Sequence, residues 1–332
     1  MYMERILVTG AAGTVGSELT RRLLSQGKIV CSLDNSEDAL FKLEQSLVEH
    51  KKFFRPFLGD IRDYERLISA TQGVDTIYHC AALKHVELGE YNTEEIVKTN
   101  INGTKNIIKA AIKNKVNKFI LTSSDKAVNP SSTMGTSKLM GEKLTLSANN
   151  HVGDSPTKLS IVRFGNILNS NGSVLTIFRD LNARGIPLTI TDEKMTRYFL
   201  SKEEAIDLCL FCEKNMAGGE IFLSEMKAFR VIDLAKAIYG KDLKYTVTGI
   251  KVGEKLFEEL VSEVEMERAV IFKKKIVILP SARRSFTSST IKNLEKYNDL
   301  EFLNKLPRSD SKHILKTLDE IYAFLPSIAD AN

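Results

Sequence analysis

A chain of 332 residues, 43% of them hydrophobic, is long enough to bury one large core with a smaller lobe beside it, the two sharing a cleft. The formal charge of +5, from 47 Lys and Arg against 42 Asp and Glu, is too small and too scattered for a nucleic-acid-binding stripe. Four cysteines (Cys31, Cys80, Cys209, Cys212) form no paired framework, and no run of about 18 apolar residues offers a membrane span.

In chain order, strand-like runs are predicted at residues 5–9, 29–33, 53–58, 76–80, 118–122 and 159–163, with helical patterns at 17–26, 94–115 and 136–148. The first run begins too early for a secretory leader to precede it, so a cytoplasmic protein without membrane contact is expected. The alternation specifies βαβ units and therefore an α/β fold, a Rossmann-type doubly wound parallel sheet. We place the nucleotide-binding domain at 1–165, with later segments free to return to it. Beyond Phe164 the elements shorten and are punctuated by Gly185, Pro187, Gly218, Gly219, Gly249 and Gly253. Residues 166–332 accordingly read as a smaller substrate-binding lobe with C-terminal helices. Cys209 and Cys212 fall at helical spacing within 203–214, which favours core packing over a metal, and no metal site is expected. Lys273 to Lys275, followed by Ile276 to Leu279, read as a solvated strand edge.

The first strand runs into Thr9-Gly10-Ala11-Ala12-Gly13-Thr14-Val15-Gly16 and then into a helix. In this GxxGxxG spacing Gly10 makes a tight turn, Gly13 lets the backbone approach a diphosphate and Gly16 packs helix on strand. Thr14 and Val15 open the helix, whose free N–H groups suit the anion. Asp34, 24 residues beyond Gly10, is placed to bind ribose hydroxyls, which favours NAD over NADP, while Lys42 keeps NADP open. Asp60 and Ile61 end the third strand at adenine depth, although Asp60 would serve equally as a helix N-cap. Ala81, Ala82 and Lys84 follow the fourth strand, beside the expected nicotinamide ribose.

The fifth strand ends in Ser123-Ser124-Asp125-Lys126, an acid and an amine side by side where open α/β sheets bind ligands. Met134-Gly135-Thr136-Ser137-Lys138 follows. Together with the glycine loop these segments resemble the extended short-chain dehydrogenase/reductases, and specifically the UDP-N-acetylglucosamine 4,6-dehydratases of polysaccharide biosynthesis. The similarity continues through Ala82-Leu83-Lys84-His85-Val86, Lys98-Thr99-Asn100, Arg163-Phe164-Gly165-Asn166, Gly172-Ser173-Val174, Leu188-Thr189-Ile190-Thr191-Asp192, Met195-Thr196-Arg197-Tyr198-Phe199 and Gly253-Glu254-Lys255-Leu256, covering about residues 4 to 265. Some members of that family carry membrane-spanning segments before this region, and none is read in these residues.

The resemblance implies a UDP-N-acetylglucosamine substrate, oxidation at C4, deprotonation at C5 with loss of the C6 hydroxyl, and return of hydride to C6. It assigns Asp125 and Lys126 to proton transfer, Ser124 to the C4 oxygen, Lys138 to the nicotinamide ribose and Asn100 to the cofactor site. Lys84, Asn166, Ser173, Arg197 and Glu254 go to the substrate. Met134 stands where most short-chain dehydrogenases carry a catalytic tyrosine. A thioether holds no proton in water, so the acid–base work passes to Asp125 and Lys126, as in dehydratases that share the methionine. Two positions depart from the pattern: Lys251-Val252 where relatives read Arg-Pro, and Glu87 where proline is common. His85 reads as a packed structural histidine. A UDP-sugar 4-epimerase and a non-catalytic NAD(H) sensor share the fold and are the competing readings. The helices at 94–115 and 136–148 resemble those that pair into a four-helix interface, implying a homodimer or higher assembly.

Overall fold

The computed structural model describes residues 3–170, 172–240, 242–281, 292–311 and 316–324. The six β-branched runs form strands within two residues of their predicted bounds: β1 (Arg5–Thr9), β2 (Ile29–Asp34), β3 (Phe54–Leu58), β4 (Thr76–His79), β5 (Lys118–Ser124) and β6 (Lys158–Phe164). All pair in parallel. Beyond them come β7 (Asn166–Ile167), β8 (Leu188–Ile190), β9 (Thr196–Leu200), β10 (Ile221–Ser224), β11 (Lys227–Arg230), β12 (Tyr245–Val247), β13 (Ala269–Phe272) and β14 (Lys275–Ile278). The large sheet has nine strands in the order β13-β14-β10-β6-β5-β4-β1-β2-β3. Its direction of winding reverses at β1, between β2 and β4, so a crevice opens there beyond the carboxyl ends of the strands.

The strands read as nearly continuous apolar runs because helices cover both faces. Ile6, Leu7 and Val8 of β1, Phe119 and Ile120 of β5 and Leu159, Ile161 and Val162 of β6 are at 0% exposure. Each such side chain contributes roughly 1.5–3 kcal/mol of burial. The helix Thr14–Ser25 packs with Lys202–Asn215 on one layer, and Thr104–Lys113 packs between Tyr64–Ala70 and Thr133–Ala148 on the other. Cys209 and Cys212 are buried in Lys202–Asn215. Strands β11-β9-β7 and β12-β8 form two small sheets of the second lobe, where Phe199 and Phe229 stack at 5.3 Å.

Three expectations need revision. The 94–115 pattern is not one α-helix. Thr93–Ile96 is α-helical, Val97–Gly103 is a π-helical stretch and Thr104–Lys113 is α-helical. The extra residue per turn rotates Asn100 inward, a common use of π-bulges at functional sites. Lys273 and Lys274 are not strand edge but the two-residue turn of the β13–β14 hairpin, with φ of 48° and 62°. Positive φ at both positions matches a type I′ turn, whose twist suits the flanking strands. The C-terminal stretch is also not all helical. Lys275–Ile278 belongs to the large sheet and Leu318–Phe324 is helical, while 282–291, 312–315 and 325–332 lie outside the described residues. Among the described residues no helix is long and apolar enough to cross a membrane.

Candidate active site

The glycine loop leaves β1 with Gly10 at φ 66°, and a Cβ there would lie 2.7 Å from the Ala81 backbone at the end of β4. A Cβ on Gly16 would lie 2.2 Å from the Gly10 carbonyl oxygen, so only glycine lets the helix start this close to the strand. Gly13 is the N-cap of Thr14–Ser25 and supplies no side-chain cap. That end of the helix, with its positive dipole, suits an anion. Beneath the loop His79 bridges Thr9 Oγ1 at 2.7 Å and Thr104 Oγ1 at 3.1 Å, and burial, helped by Lys138, depresses its imidazolium to about 3.

One arm of the crevice is lined by Asp34, Asp60, Ile61, Arg62, Ala81, Ala82 and Lys84. Asp34 ends β2 and accepts the Ala12 N–H at 2.9 Å and the Ser36 N–H at 3.0 Å, one on each oxygen. Each oxygen keeps a second lone pair for a ligand hydroxyl. Asp60 accepts three hydrogen bonds from Arg62, at 2.6, 2.8 and 2.9 Å, and this neighbour holds its carboxyl below the ordinary range. The following helix is capped by Asp63, not Asp60. Asn100 lies behind the crevice wall rather than on it. Its amide clamps Leu83 through N–H and carbonyl at 2.8 and 2.9 Å and reaches Ser137 Oγ at 2.9 Å, fixing the loop that carries Lys84.

The other arm is a cavity of about 700 Å³ lined by Gly13, Thr14, Val15, Gly16, Lys84, Ser124, Lys126, Met134, Lys138, Asn166, Ser173, Arg197 and Glu254, among others. Lys126 Nζ donates to Asp125 Oδ1 at 3.0 Å and to Asn166 Oδ1 at 3.1 Å. Ser124 Oγ donates to the same Asp125 oxygen at 2.8 Å. Asp125 itself is at 0% exposure, does not line the cavity, and its Oδ2 has no hydrogen-bond partner. A proton can therefore pass between the cavity and Asp125 through the Ser124 hydroxyl or the Lys126 amine. Helix Thr133–Ala148, capped by Ser132, brings Met134 and Lys138 in. Gly135 lets it pack on the reactive loop, since a Cβ there would sit 2.5 Å from the Lys126 carbonyl oxygen. Lys138 Nζ donates to the Thr122 carbonyl at 3.2 Å, and burial lowers its ammonium to about 8 against the opposing pull of Cys80 and Glu142. Burial likewise lowers Lys84.

At the far end, Ser173 caps Val174–Ala183, Arg197 Nη1 donates to the Thr196 carbonyl at 2.8 Å, and Glu254 accepts the Lys251 N–H at 3.1 Å. Lys84, Lys126, Lys138, Arg197 and Lys255 outweigh Glu254 and Glu258 along the wall, which suits an anionic ligand. Two groups escaped the sequence reading. Glu258 is buried at 2% exposure beside Lys126, and nothing in the apolar spacing separates it from its exposed-looking neighbour Glu259. Glu90, whose carboxylate accepts Thr133 N–H at 2.6 Å and Oγ1–H at 3.1 Å, ties the start of the active-site helix to residues 86–91. The two departures noted in the sequence meet each other: Lys251 Nζ lies 2.7 Å from Glu87 Oε2 across the mouth of the cleft. His85 is exposed at that rim and faces Gly172, where an added Cβ would approach its ring to 2.7 Å.

A doubly wound sheet with a glycine-rich first crossover and an Asp-Lys pair beyond β5 defines an extended short-chain dehydrogenase/reductase fold. The chain belongs to the family described as polysaccharide biosynthesis protein, whose model matches residues 6–280. It is 41% identical over 329 residues to a protein of Methanocaldococcus jannaschii described as an uncharacterized membrane protein, covering 96% of each chain. It is 37% identical over 310 residues to a UDP-N-acetylglucosamine 4,6-dehydratase (inverting) of Campylobacter jejuni, covering 93% of this chain and 90% of that one. Among solved structures, Pen from Bacillus thuringiensis superposes with a TM-score of 0.89 at 32% identity, covering 98% of this chain and 99% of that one.

Proposed function

We propose that this protein is a 4,6-dehydratase of UDP-N-acetylglucosamine working with NAD. The observation that carries the reading is the Lys126 amine held between Asp125 and Asn166 at the wall of the cavity, with Met134 where a proton-holding tyrosine would otherwise stand. The uncapped helix at Gly13 and the glycine cradle fit the cofactor diphosphate, and Asp34 fits the ribose. When bound, NAD supplies a reversible hydride acceptor, so that the sugar is dehydrated without net oxidation.

The residues of the chain then divide the proton traffic. Ser124 Oγ takes up the C4 hydroxyl proton and passes its own to Asp125 Oδ1, 2.8 Å away. Lys126, acting as the neutral amine, removes the C5 proton, which the C4 ketone acidifies. Asp125 returns its proton by the same route to the departing C6 hydroxyl, water leaves, and the Lys126 ammonium, after exchange with solvent, gives a proton back to C5 as C6 becomes the methyl carbon. Each such acid–base group supplies roughly 10²- to 10⁴-fold. Arg197 presents a fork suited to the UDP diphosphate, with Lys84 as a further cation.

Proton NMR of UDP-N-acetylglucosamine incubated with the protein and NAD in D₂O tests the reading. A C6 methyl signal with deuterium at C5 is expected, falling at least about 100-fold in Lys126→Ala and Asp125→Asn. An unchanged spectrum rejects the substrate, and exchange of the C4 configuration without a methyl signal identifies an epimerase instead.

A further inference from the structure

Glu258 is a charged group of the cleft to which the reaction above gives no task. Its backbone N–H donates to Ser309 Oγ at 2.8 Å, and Ser309 pairs in turn with Thr196 Oγ1 at 2.8 Å, so its place is fixed from β9. The carboxylate is 2% exposed and has three cations around it: Lys255 Nζ at 3.5 Å, Arg197 Nε at 3.7 Å and Lys126 Nζ at 3.8 Å. Its Oε2 accepts no hydrogen bond. A carboxylate is not buried like this for packing, because a buried charge is strongly disfavoured unless other charges hold it. Burial pushes its carboxyl above the ordinary range, with the Asp125 charge adding to the push and Lys126, Arg197 and Lys255 opposing it.

An ammonium has three N–H donors. Two of those on Lys126 are taken by Asp125, just beyond β5, and Asn166 of β7. Glu258 faces the same nitrogen from the second lobe. We propose that Glu258 is a positioning residue of this site, a third group that holds the Lys126 amine together with Asp125, just beyond β5, and Asn166 of β7. The amine is thereby triangulated between the end of β5 and two groups of the second lobe. Arg197 and Tyr198 of β9, Lys255 of the same loop as Glu258, and Asp125 are the other titratable groups of this cluster. Only the name of the catalytic step rests on the dehydratase reading.

Competitive amine labelling of the intact protein across pH, read at Lys126 by mass spectrometry, tests the geometry without any substrate. In Glu258→Gln the pH midpoint of labelling should fall by about one unit or more, since an opposite charge at this range shifts titration by roughly 1–3 units. Glu258→Asp, which keeps the charge and the fold, should fall between that variant and the wild type. In turnover, Glu258→Gln should lower kcat about tenfold or more with KM within about twofold, and move the acid limb of the rate profile to lower pH, with Glu258→Asp restoring part of both. A labelling midpoint in both variants within about 0.2 units of the wild type overturns the proposal. If the wild type yields no C6 methyl product, the dehydratase reading falls, and the labelling midpoint still decides the role of Glu258.

Discussion

Replacing Arg163 by methionine should remove about 3–5 kcal/mol of stability, because the guanidinium is fully enclosed and every one of its donors is used. Nε and Nη2 bond Glu142 at 3.0 and 2.6 Å, Nη2 and Nη1 bond Glu265 at 3.0 and 3.1 Å, and Nη1 also reaches the Leu260 carbonyl at 2.8 Å. A guanidinium has five N–H donors, and these five bonds take them all. The methionine variant leaves two carboxylates without their cation, with side-chain exposures of only 2% and 14%. With an unfolding entropy of about 2.1 cal/mol/K per residue, a chain of this length loses about 1.4 °C of Tm per kcal/mol, so a drop of about 4–7 °C is expected by calorimetry. The triple variant Arg163→Met, Glu142→Leu, Glu265→Met should recover most of the loss, since an apolar set of similar volume replaces a buried ionic one at little cost. A single variant that loses less than about 1 kcal/mol, or a triple variant no better than the single, would refute the reasoning.

Gly16→Ala places a methyl 2.2 Å from the Gly10 carbonyl oxygen, so purified protein should carry at least about tenfold less bound nicotinamide nucleotide, measured by chromatography of the released cofactor. Lys138 titrates at about 8 in the folded protein against 10.5 unfolded, so the unfolded chain binds the extra proton between those values and stability should rise with pH across that window. Lys138→Met should flatten this slope and stabilise the cofactor-free protein below pH 8 by up to about 3 kcal/mol, in urea melts of both forms at two pH values. The Glu87–Lys251 pair is exposed on both sides, at 75% and 49%, so Glu87→Ala should change stability by under about 1 kcal/mol, with the difference shrinking in high salt.

The first six strands and the nucleotide-binding loop were legible because their signals are local: β-branched runs, turn glycines and a helix start within eight residues of one another. Return of the chain to the sheet was not. β10 and the β13–β14 hairpin are short apolar runs whose partners lie far away in sequence, and nothing in Ile221–Ser224 names β6 as its neighbour. The π-helical stretch escaped for a related reason. Asn100 is drawn inward by the Leu83 backbone, a contact made only after the fold closes. Asp125 and Lys126 were visible as a pair, but not that Asp125 would be sealed behind Ser124. Charge at Glu258 likewise reads as surface until the tertiary structure brings three cations around it.

The path of the chain between the lobes has a consequence for how the site can change. From β6 the chain steps at Gly165 into β7, returns from β9 into the helix Lys202–Asn215 and β10, and departs once more into β11. Floor and ceiling of the reaction chamber are thus woven from one thread, and neither can be cut away whole. The stitches lie close to Asn166, Arg197 and Glu258, so remodelling in the outer stretches could alter which sugar is admitted while these crossings keep the proton-handling groups in register.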